Sequence, residues 1–250
     1  MTVVSRPRIM ILGALSAIAE AAAREWARQG ARLLLVGRDA ARLEMVAADL
    51  RVRGGEAEIA ISDLVEGDIE QTFGALAARL GEVDIALVAY GVLGEQARAE
   101  KDAAEARRLL AVNFTSAARW CLAAANLFEA NGRGTLIVLG SVAGDRGRGS
   151  NYIYGAAKGG LGILVQGLAH RLARAGARAI LVKPGFVDTP MTASIAKKGP
   201  LWAQPAAIAR VIVKAGQGKT GPVVYAPGFW RWIMLVIRLM PASIFHRTRL

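Results

Sequence analysis

The stretch Ile9-Met-Ile-Leu-Gly13-Ala-Leu-Ser-Ala17-Ile-Ala19 decides the fold, because it reads as a buried strand, a glycine turn and the start of a helix. Backbone amides at the start of such a helix, together with its dipole, bind a pyrophosphate group. Gly13, Ser16, Ala17 and Ile18 are therefore predicted to contact a dinucleotide. Only Gly13 is a glycine, and an ordinary strand-to-helix turn is the alternative reading.

The same alternation of apolar strand and amphipathic helix continues outward from this stretch. Strands are predicted over residues 8–12, 32–36, 58–61, 83–89, 134–139, 179–182 and 223–225, and helices over 17–30, 40–53, 69–80, 103–129, 152–174 and 205–215. Alternating strands and helices form βαβ units, and strands that are apolar throughout are covered on both faces. We predict one α/β domain over residues 1–250, a three-layer Rossmann fold with a doubly wound parallel sheet. We expect residues 192–250 to form a variable substrate-side lid and a C-terminal hydrophobic tail.

Composition limits the classes of function. The chain has 250 residues, 54% of them hydrophobic, with a formal net charge of +12. The arginines are scattered through alanine-rich helices, so the charge favours a phosphate-bearing substrate or an anionic membrane surface, and no nucleic-acid partner is expected. The single cysteine, Cys121, excludes an intramolecular disulfide and indicates a reducing compartment. His170 and His246 lack metal-ligand spacing, so we expect no metal site. The N-terminus lacks a signal-peptide pattern, which favours a cytoplasmic location.

Tyr154 and Lys158 are four residues apart, so a helix places both on one face. A lysine ammonium beside a phenol favours the phenolate, and we therefore expect Lys158 to lower the pKa of Tyr154. Such a phenol donates a proton to a carbonyl oxygen or accepts one from an alcohol. Ser141, thirteen residues earlier, ends a predicted strand at the edge where parallel sheets bind ligands. Alone, the pair also fits an ordinary helix-face contact.

Arg38 is predicted to set the choice of dinucleotide. Val36-Gly37-Arg38-Asp39 ends the second strand, where the adenosine ribose would lie, and a guanidinium there can pair with a 2′-phosphate. NADP(H) is therefore favoured, with NAD(H) as the alternative. Arg38 also fits a solvated loop residue, and Asp39 the N-cap of the next helix.

Further segments follow the other strands. More cofactor contacts are predicted at Asp63, Leu64, Ala89, Tyr90, Gly91, Pro184, Gly185, Val187 and Thr189. Asp63 either accepts a hydrogen bond from the adenine amino group or closes a turn. Asn113 lies in a long apolar helix, where asparagine is unfavourable. It is either exposed or locally satisfied, or it holds a water in a proton relay.

Taken in order, these residues resemble the short-chain dehydrogenase/reductase family from Ile9 to about Thr189. The resemblance implies NAD(P)H-dependent reduction of a ketone to a secondary alcohol. By this resemblance Tyr154 is the general acid or base, and Ser141 orients the carbonyl. Lys158 binds the nicotinamide ribose and Asn113 holds the relay water. The departures from the family pattern are Ala17, Ala19, Ala89 and Tyr90.

A narrower resemblance lies in Ala89-Tyr-Gly-Val-Leu-Gly94, Asp145-Arg-Gly-Arg148-Gly-Ser-Asn151 and the tail after Val224. These segments look like those of decaprenylphosphoryl-2-keto-erythro-pentofuranose reductases. The resemblance implies a polyprenyl-phosphate-linked 2-keto pentose as substrate, a role in cell-wall biogenesis and an FAD-dependent oxidase as partner. Arg146, Arg148 and Asn151 are the predicted substrate contacts, since guanidinium groups suit a phosphate. A solvated basic loop is the alternative for the two arginines.

The apolar tail suits an interfacial helix, because Trp230 and Trp232 are flanked by Arg231 and Arg238. It predicts peripheral contact at the inner face of a membrane, with a core or subunit-contact helix as the alternative. By the family resemblance, residues 103–129 and 152–174 would pack between subunits of a homodimer or homotetramer. Two other functions stay open: a reductase of another lipophilic carbonyl or a 3-oxoacyl thioester, and a silent dinucleotide-sensing protein.

Overall fold

A single seven-stranded parallel sheet organises the computed structural model, which describes residues 6–193, 195 and 199–248. The strands are β1 Arg8–Leu12, β2 Arg32–Gly37, β3 Glu56–Ile61, β4 Ile85–Val88, β5 Thr135–Leu139, β6 Arg178–Pro184 and β7 Val223–Ala226. Their order is β3-β2-β1-β4-β5-β6-β7. Leu12 is in register with Val36 on one side and Val88 on the other. The carboxyl ends of the central strands therefore meet along one edge, where such sheets bind ligands.

Helices cover both faces of the sheet. They are α1 Ala17–Arg28, α2 Ala40–Val52, α3 Ile69–Leu80, α4 Gln96–Ala99, α5 Ala103–Leu110, α6 Ser116–Ala130, α7 Tyr152–Ala173, α8 Pro205–Gly216, α9 Trp230–Leu239 and α10 Ala242–Phe245. Alternate strand residues point to opposite faces, so Ile9 and Ile11 pack in one core layer with α1, α2 and α8. Met10 and Leu12 pack in the other layer with α3, α6 and α7. The predicted three-layer doubly wound α/β fold is thus confirmed.

The predicted helix over 103–129 was wrong in one respect. Residues Ala111–Thr115 form a π-helical turn between α5 and α6, and Asn113 lies at its centre. A π turn accommodates an extra residue and re-aims the side chains that follow. The short helices α4 and α10 were not predicted, and the strand expected over 83–89 is confined to Ile85–Val88. Cys121 is fully buried, as expected of a small core residue, and burial raises the pKa of its thiol to about 12.

The C-terminal helices form a third, smaller core. Trp230, Met234 and Ile237 of α9 pack with Phe245 of α10 and with Val142, the residue after Ser141. The tail therefore rests on the segment that carries the predicted catalytic serine. No helix among the described residues combines the length and apolar character needed to cross a bilayer. Residues 194, 196–198 and 249–250 of the predicted lid and tail lie outside the described residues.

Candidate active site

A cavity of about 460 Å³ opens at the carboxyl edge of the sheet. Most residues that the sequence analysis selected line this cavity: Gly13, Ser16, Ala17, Ile18, Ala89, Tyr90, Gly91, Ser141, Arg148, Asn151, Tyr154, Lys158, Pro184, Gly185, Val187 and Thr189. Arg38, Asp63, Leu64, Asn113 and Arg146 are not in its lining. Within the described part of the chain, no cluster of three or more His, Cys, Asp or Glu side chains could hold a metal ion.

The N-terminus of α1 is suited to a pyrophosphate. The helices α2, α3 and α5 are each capped by an aspartate whose carboxylate accepts from a first-turn amide. By contrast, Ser16 at the N-cap of α1 makes no side-chain capping hydrogen bond, and this helix end faces the cavity. First-turn amides have no acceptor within their own helix, and a phosphate oxygen can fill that role. The residues present therefore fit the dinucleotide that the sequence predicts.

Gly13 is required by the geometry of this turn. Its φ of +85° lies in the left-handed region, and a Cβ there would approach Cβ of Tyr90 to 2.6 Å. The Tyr90 hydroxyl lies 3.0 Å from Oγ of Ser116 and donates to the Leu64 carbonyl at 3.4 Å. Tyr90 thus ties the fourth strand's end to α6 and packs tightly against the glycine turn. Here the chain departs from the family pattern without losing the turn.

A tight turn brings Ser141 to the helix that carries Tyr154 and Lys158. Residues Val142–Gly144 form one 3₁₀ turn after Ser141, whose Oγ accepts from the Ala143 amide at 3.1 Å. This turn lies directly on α7, because a Cβ at Gly144 would come within 2.6 Å of the Gly159 nitrogen. The absence of side chains at this crossing fixes how Ser141 faces Tyr154.

Tyr154 is partly buried in the wall of the cavity. Burial is the larger influence and raises the pKa of its phenol, while a hydrogen bond with Ser141 acts in the opposite direction. The net direction is therefore opposite to the lowering that we expected, and Lys158 is not among the groups that shift this pKa. Tyr154 is consequently protonated at neutral pH and can act as a proton donor.

Lys158 lies at the base of the cavity with a 5% exposed side chain. Its Nζ donates to the Leu139 carbonyl at 3.0 Å, so the ammonium is anchored to the end of β5. Burial lowers the pKa of Lys158 to about 8. The lysine therefore still carries its charge at neutral pH, but it loses that charge well below the pH at which an exposed lysine would.

Asn113 is completely buried and its side chain is fully engaged. Its Oδ1 accepts from the Val92 amide at 3.0 Å, while Nδ2 donates to the carbonyls of Val92 at 2.8 Å and Leu109 at 3.0 Å. The side chain thus clamps the segment after β4 to the π turn. Among the readings left open, local satisfaction is confirmed, and the relay-water role stays a prediction.

Arg38 and Asp63 lie together beyond the cavity lining. Arg38 is exposed, and its Nη1 is 3.5 Å from Oδ2 of Asp63. Asp63 also accepts from the amides of Val65 and Glu66, and these backbone bonds, with Val65 the largest influence, lower the pKa of its carboxyl. It is therefore a turn residue whatever else it binds. Asp39 caps α2 by accepting from the Arg42 amide at 3.0 Å, the alternative that the sequence left open.

Leu64 does not line the cavity, and its carbonyl is hydrogen-bonded within the protein. The side chain is buried in the core, and the carbonyl accepts from Nε1 of Trp120 at 2.9 Å. A contact between Leu64 and the cofactor stays a prediction.

Arg146 was wrongly predicted to contact substrate. Its Nη1 donates to the carbonyls at the end of α9, those of Ile237, Arg238 and Met240, and its guanidinium lies 3.9 Å from the ring centroid of Phe245. The last carbonyls of a helix lack partners within the helix and attract a cation, which explains this placement. Arg146 therefore caps the C-terminal end of α9.

Arg148 and Asn151 do line the cavity, beside Tyr154. Arg148 is partly buried, and burial lowers the pKa of its guanidinium. Within the described residues, Nε of Arg148 and Oδ1 of Asn151 are buried without a hydrogen-bond partner. Unsatisfied buried polar atoms are rare in folded proteins, so these two atoms are candidates to bind a ligand.

A family model described as short chain dehydrogenase matches residues 7–199. The matched region carries the glycine turn, Ser141, Tyr154 and Lys158 described above. The chain belongs to this family. It is an NAD(P)-dependent oxidoreductase.

Two relatives of this short-chain dehydrogenase span nearly its whole length, and a third spans about three quarters of it. An uncharacterized oxidoreductase of Streptomyces coelicolor is 34% identical over 240 residues, covering 96% of this chain and 94% of its own. An uncharacterized oxidoreductase of Mycobacterium tuberculosis is 36% identical over 245 residues, or 96% of each chain. A 3-oxoacyl-[acyl-carrier-protein] reductase of Bos taurus is 30% identical over 183 residues, covering 73% of this chain and 76% of its own.

Solved structures share the fold. An actinorhodin polyketide ketoreductase with NADPH superposes with a TM-score of 0.79 at 23% identity, covering 89% of this chain and 97% of that one. A gluconate 5-dehydrogenase from Burkholderia cenocepacia in complex with NADP and tartrate gives 0.81 at 21% identity, covering 90% and 95%. At these identities the likeness establishes the fold of this short-chain dehydrogenase.

Sequence reasoning missed several residues of this short-chain dehydrogenase's cavity. Arg42 lines the cavity. It lies in the first turn of α2, four residues after Arg38, and this spacing was visible in the sequence. The apolar wall had no such signal: Leu15, Leu93, Phe186, Met191 and Ile195. Apolar side chains on loops have no periodicity that identifies them as cavity lining before the loops are placed.

Proposed function

We propose that this protein uses NADPH to reduce a ketone to a secondary alcohol. The observation that carries the proposal is that Ser141, Tyr154 and Lys158 line one wall of a cavity into which the uncapped N-terminus of α1 also opens. A phenol, a hydroxyl and an ammonium are thereby placed beside a pyrophosphate site. This is the set of groups that proton transfer to a carbonyl oxygen requires.

Each side chain has a defined task in this scheme. The bound dinucleotide supplies the hydride. Tyr154, held protonated by burial, donates its hydroxyl proton to the developing alkoxide. Ser141 accepts from the Ala143 amide and hydrogen-bonds with Tyr154, so on ketone binding its hydroxyl hydrogen would turn to the carbonyl oxygen and polarise it. Lys158 keeps a buried positive charge near the reacting groups and, by the family resemblance, binds the nicotinamide ribose.

NADPH is favoured over NADH because two guanidinium groups flank the predicted position of the ribose. Arg38 is exposed at the end of β2, and Arg42 lines the cavity. Both can pair with a 2′-phosphate, and the Arg38 partner, Asp63, is at the long distance of 3.5 Å. NADH would lack the phosphate and gain nothing from either arginine.

For the substrate we propose a polyprenyl-phosphate-linked 2-keto pentose, made by an FAD-dependent oxidase and used in cell-wall synthesis. The support from the structure is an exposed apolar surface on α9 and α10, which we call the tail surface: Phe229, Trp232, Leu235, Val236, Leu239 and Ile244. Trp232, Leu235, Val236 and Leu239 follow helical spacing and thus share one face. A lipid-linked substrate would have to be drawn from such a surface.

The charge around the tail surface suits an anionic membrane. The last acidic residue of the chain is Asp188, whereas Arg231, Arg238 and Arg247 lie exposed on or beside the two helices. Apolar helix faces flanked by arginines bind the boundary between headgroups and acyl chains. We infer peripheral attachment at the inner face of the membrane, with Thr192 and Ile195 of the predicted lid lining the cavity.

Vesicle flotation tests the tail surface. The wild type is expected to float with vesicles of mixed phosphatidylglycerol and phosphatidylcholine, whereas the double variant Trp232→Glu, Val236→Glu stays at the bottom. Val52→Glu, which changes an exposed apolar residue on α2, is the matched control and should float. Equal flotation of all three proteins would contradict the membrane surface, and a fall of the native mass in the double variant would identify a subunit contact instead.

We also propose a homodimer or homotetramer formed through α5, α6 and α7. Three large apolar side chains on these helices are exposed, Leu110, Leu122 and Ile163, the last with 73% of its surface in solvent. Light scattering after size exclusion is expected to give two or four copies, and Ile163→Lys to reduce the mass toward one copy. A monomeric wild type would contradict this assembly.

The experiment that tests the function is NADPH and NADH oxidation with farnesyl-phosphoryl 2-keto pentofuranose, beside simple ketones and 3-oxoacyl thioesters. Turnover confined to the lipid-linked sugar, faster with NADPH, is the expected result. Turnover only with 3-oxoacyl thioesters would favour the second candidate, for which the bovine relative is the supporting observation. Dinucleotide binding without turnover of any ketone would move the assignment to a sensing protein.

A further inference from the structure

A second cavity of about 370 Å³ lies beside the first, on the other side of Tyr154. Both cavities are lined by Tyr154, Arg148, Asn151, Phe186 and Ile195. The second one is closed by residues of the segment after β4 and by α4 and α5, including Leu93, Gln96 and Leu109. It contains none of the residues that line the pyrophosphate site at α1, so the dinucleotide does not account for it.

Arg148 gives this second cavity its charge. Among the described residues that line it, Arg148 alone carries a charge, and neither cavity has an Asp or Glu in its described lining. A guanidinium stays protonated in proteins, so the space beside Tyr154 has an uncompensated positive charge. Arg148 is partly buried, and partial burial of a charge without a partner costs free energy that pairing with a ligand would offset.

The unpartnered atoms indicate what the ligand offers. Nε of Arg148 is a buried donor and Oδ1 of Asn151 a buried acceptor, and both lack partners among the described residues. The positively charged Arg148 donor matches an anionic oxygen of a ligand, and the Asn151 acceptor matches a hydroxyl of the same ligand. An amide can also present its nitrogen after a flip, which would serve a second anionic oxygen. Either arrangement fits a phosphorylated polyol better than a neutral ketone.

We propose that the second cavity is a phosphate subsite for the substrate, with Arg148 pairing with a phosphate oxygen and Asn151 accepting from an adjacent substrate hydroxyl. The sides formed by Leu93, Leu109 and Phe186 are apolar and accommodate the carbon skeleton attached to the phosphate. The reacting ketone then lies next to Tyr154, one of the residues that line both cavities. This inference deepens the proposed function, since it names the group by which the same site selects its ketone.

Binding, rather than turnover, tests the subsite independently of the reaction. Titration calorimetry on the NADP⁺-saturated protein compares farnesyl phosphate, farnesol and glycerol 1-phosphate. We expect farnesyl phosphate to bind at least about tenfold more tightly than farnesol, as one charge-assisted hydrogen bond provides. Arg148→Gln should remove that difference, Arg148→Lys should keep part of it, and Arg107→Gln, which removes the same charge from the exposed surface of α5, should leave it unchanged.

Each outcome has a distinct meaning. If farnesyl phosphate and farnesol bind equally, or if Arg148→Gln binds farnesyl phosphate as the wild type does, the phosphate subsite is wrong. If glycerol 1-phosphate binds as tightly as farnesyl phosphate, the subsite is supported with a soluble phosphate ester as its source. Loss of ketone turnover with phosphate binding intact would refute the proposed function alone, and retained circular dichroism of the variants excludes misfolding.

Discussion

Burial sets the chemistry of the two ionisable residues at the centre of the site. Lys158 is buried and Tyr154 is partly buried, and in each case desolvation favours the uncharged form. For the tyrosine this keeps the proton that reduction consumes. For the lysine it brings the loss of a proton close to physiological pH. Desolvation therefore keeps Tyr154 protonated as the acid, and it also limits the pH range over which Lys158 stays charged.

Lys158 should impose an upper pH limit on the reaction. Its pKa is lowered to about 8, so the ammonium is present below that pH and is lost as the pH rises through it. We expect kcat/KM for NADPH, which reports the free enzyme, to be level below about pH 7 and to fall up to about tenfold per pH unit above about pH 8. A profile that stays level to about pH 10 would be inconsistent with this role.

The variant Lys158→Arg provides the control for that limit. A guanidinium stays charged over the whole range, so the decline should disappear even where the absolute rate is lower. A decline that persists in Lys158→Arg would assign the titration to another group.

Arg38 should determine the preference for NADPH. Arg38→Ala removes a charge-assisted contact with the 2′-phosphate, which contributes about 1.5 to 3 kcal/mol. The ratio of kcat/KM for NADPH to that for NADH is therefore expected to fall about 10- to 150-fold. Arg98→Ala, at another exposed arginine with an aspartate partner, should leave the ratio as it is. An unchanged ratio in Arg38→Ala would place the selectivity elsewhere, with Arg42 the next residue to change.

At the scale of elements, the crossing of the 142–144 turn over α7 aligns Ser141 with Tyr154. Gly144 lies against backbone atoms of Lys158 and Gly159, which cannot move aside as a flexible side chain could. The position of the serine therefore depends on a glycine that touches no substrate.

Gly144→Ala should misplace Ser141. The added methyl forces the turn away from α7, and a displacement of about 1 Å costs on the order of 100-fold in rate. We expect kcat to fall by about that factor while the dissociation constant for NADPH, measured by fluorescence titration, changes little. Gly147→Ala, where a Cβ meets nothing within 4 Å, is the matched control. Equal kcat in both variants would show that the crossing does not position the serine.

The loop after Ser141 is fastened to the sheet by Asp145 and to α9 by Arg146. Asp145 accepts from Lys183 and from the Tyr225 hydroxyl at 2.7 Å, which joins the loop to β6 and β7. Arg146 donates to the Met240 carbonyl at the C-terminal end of α9 and so joins the loop to that helix. Trp230 of α9 also packs against Gly185, where a Cβ would lie 1.9 Å from the indole nitrogen. Helix α9 therefore packs directly against residues that line the cavity, Val142 and Gly185.

Arg146→Ala should weaken the fold without affecting recognition of substrate. Removal of the guanidinium leaves the last carbonyls of α9 without their donor, and we expect a loss of about 2 kcal/mol in the free energy of unfolding. Urea denaturation measures this loss, and KM for the ketone should stay within about twofold. A large rise in KM with unchanged stability would restore Arg146 as a substrate contact.

The elements were largely predictable from the sequence because their signals are local. Apolar runs and glycine ends located the seven strands, and the i, i+4 spacing placed Tyr154 and Lys158 on one helix face. The π turn at Asn113 was not predictable, since it depends on the contact with Val92, which only the folded chain creates. The partners of Arg146 were equally hidden, because they lie about ninety residues further along the chain.

At the scale of the whole molecule, the fold brings two surfaces of different character to one end. The cavities are positively charged and contain Tyr154, while the tail surface beside them is apolar and flanked by arginines. A phosphate-bearing ketone with a long hydrocarbon chain would satisfy both at once. The sequence predicted each part, but their adjacency required the packing of α9 against Val142 and Gly185.

The central claim is that Tyr154 transfers the proton while taking little part in dinucleotide binding. The most direct measurement is single-turnover NADPH consumption by the wild type and Tyr154→Phe on the ketone selected by the panel, with the NADPH dissociation constant of each protein. Loss of general acid catalysis predicts a rate about 100- to 10,000-fold lower in Tyr154→Phe, with the dissociation constant nearly unchanged. Equal rates in the two proteins would contradict the account.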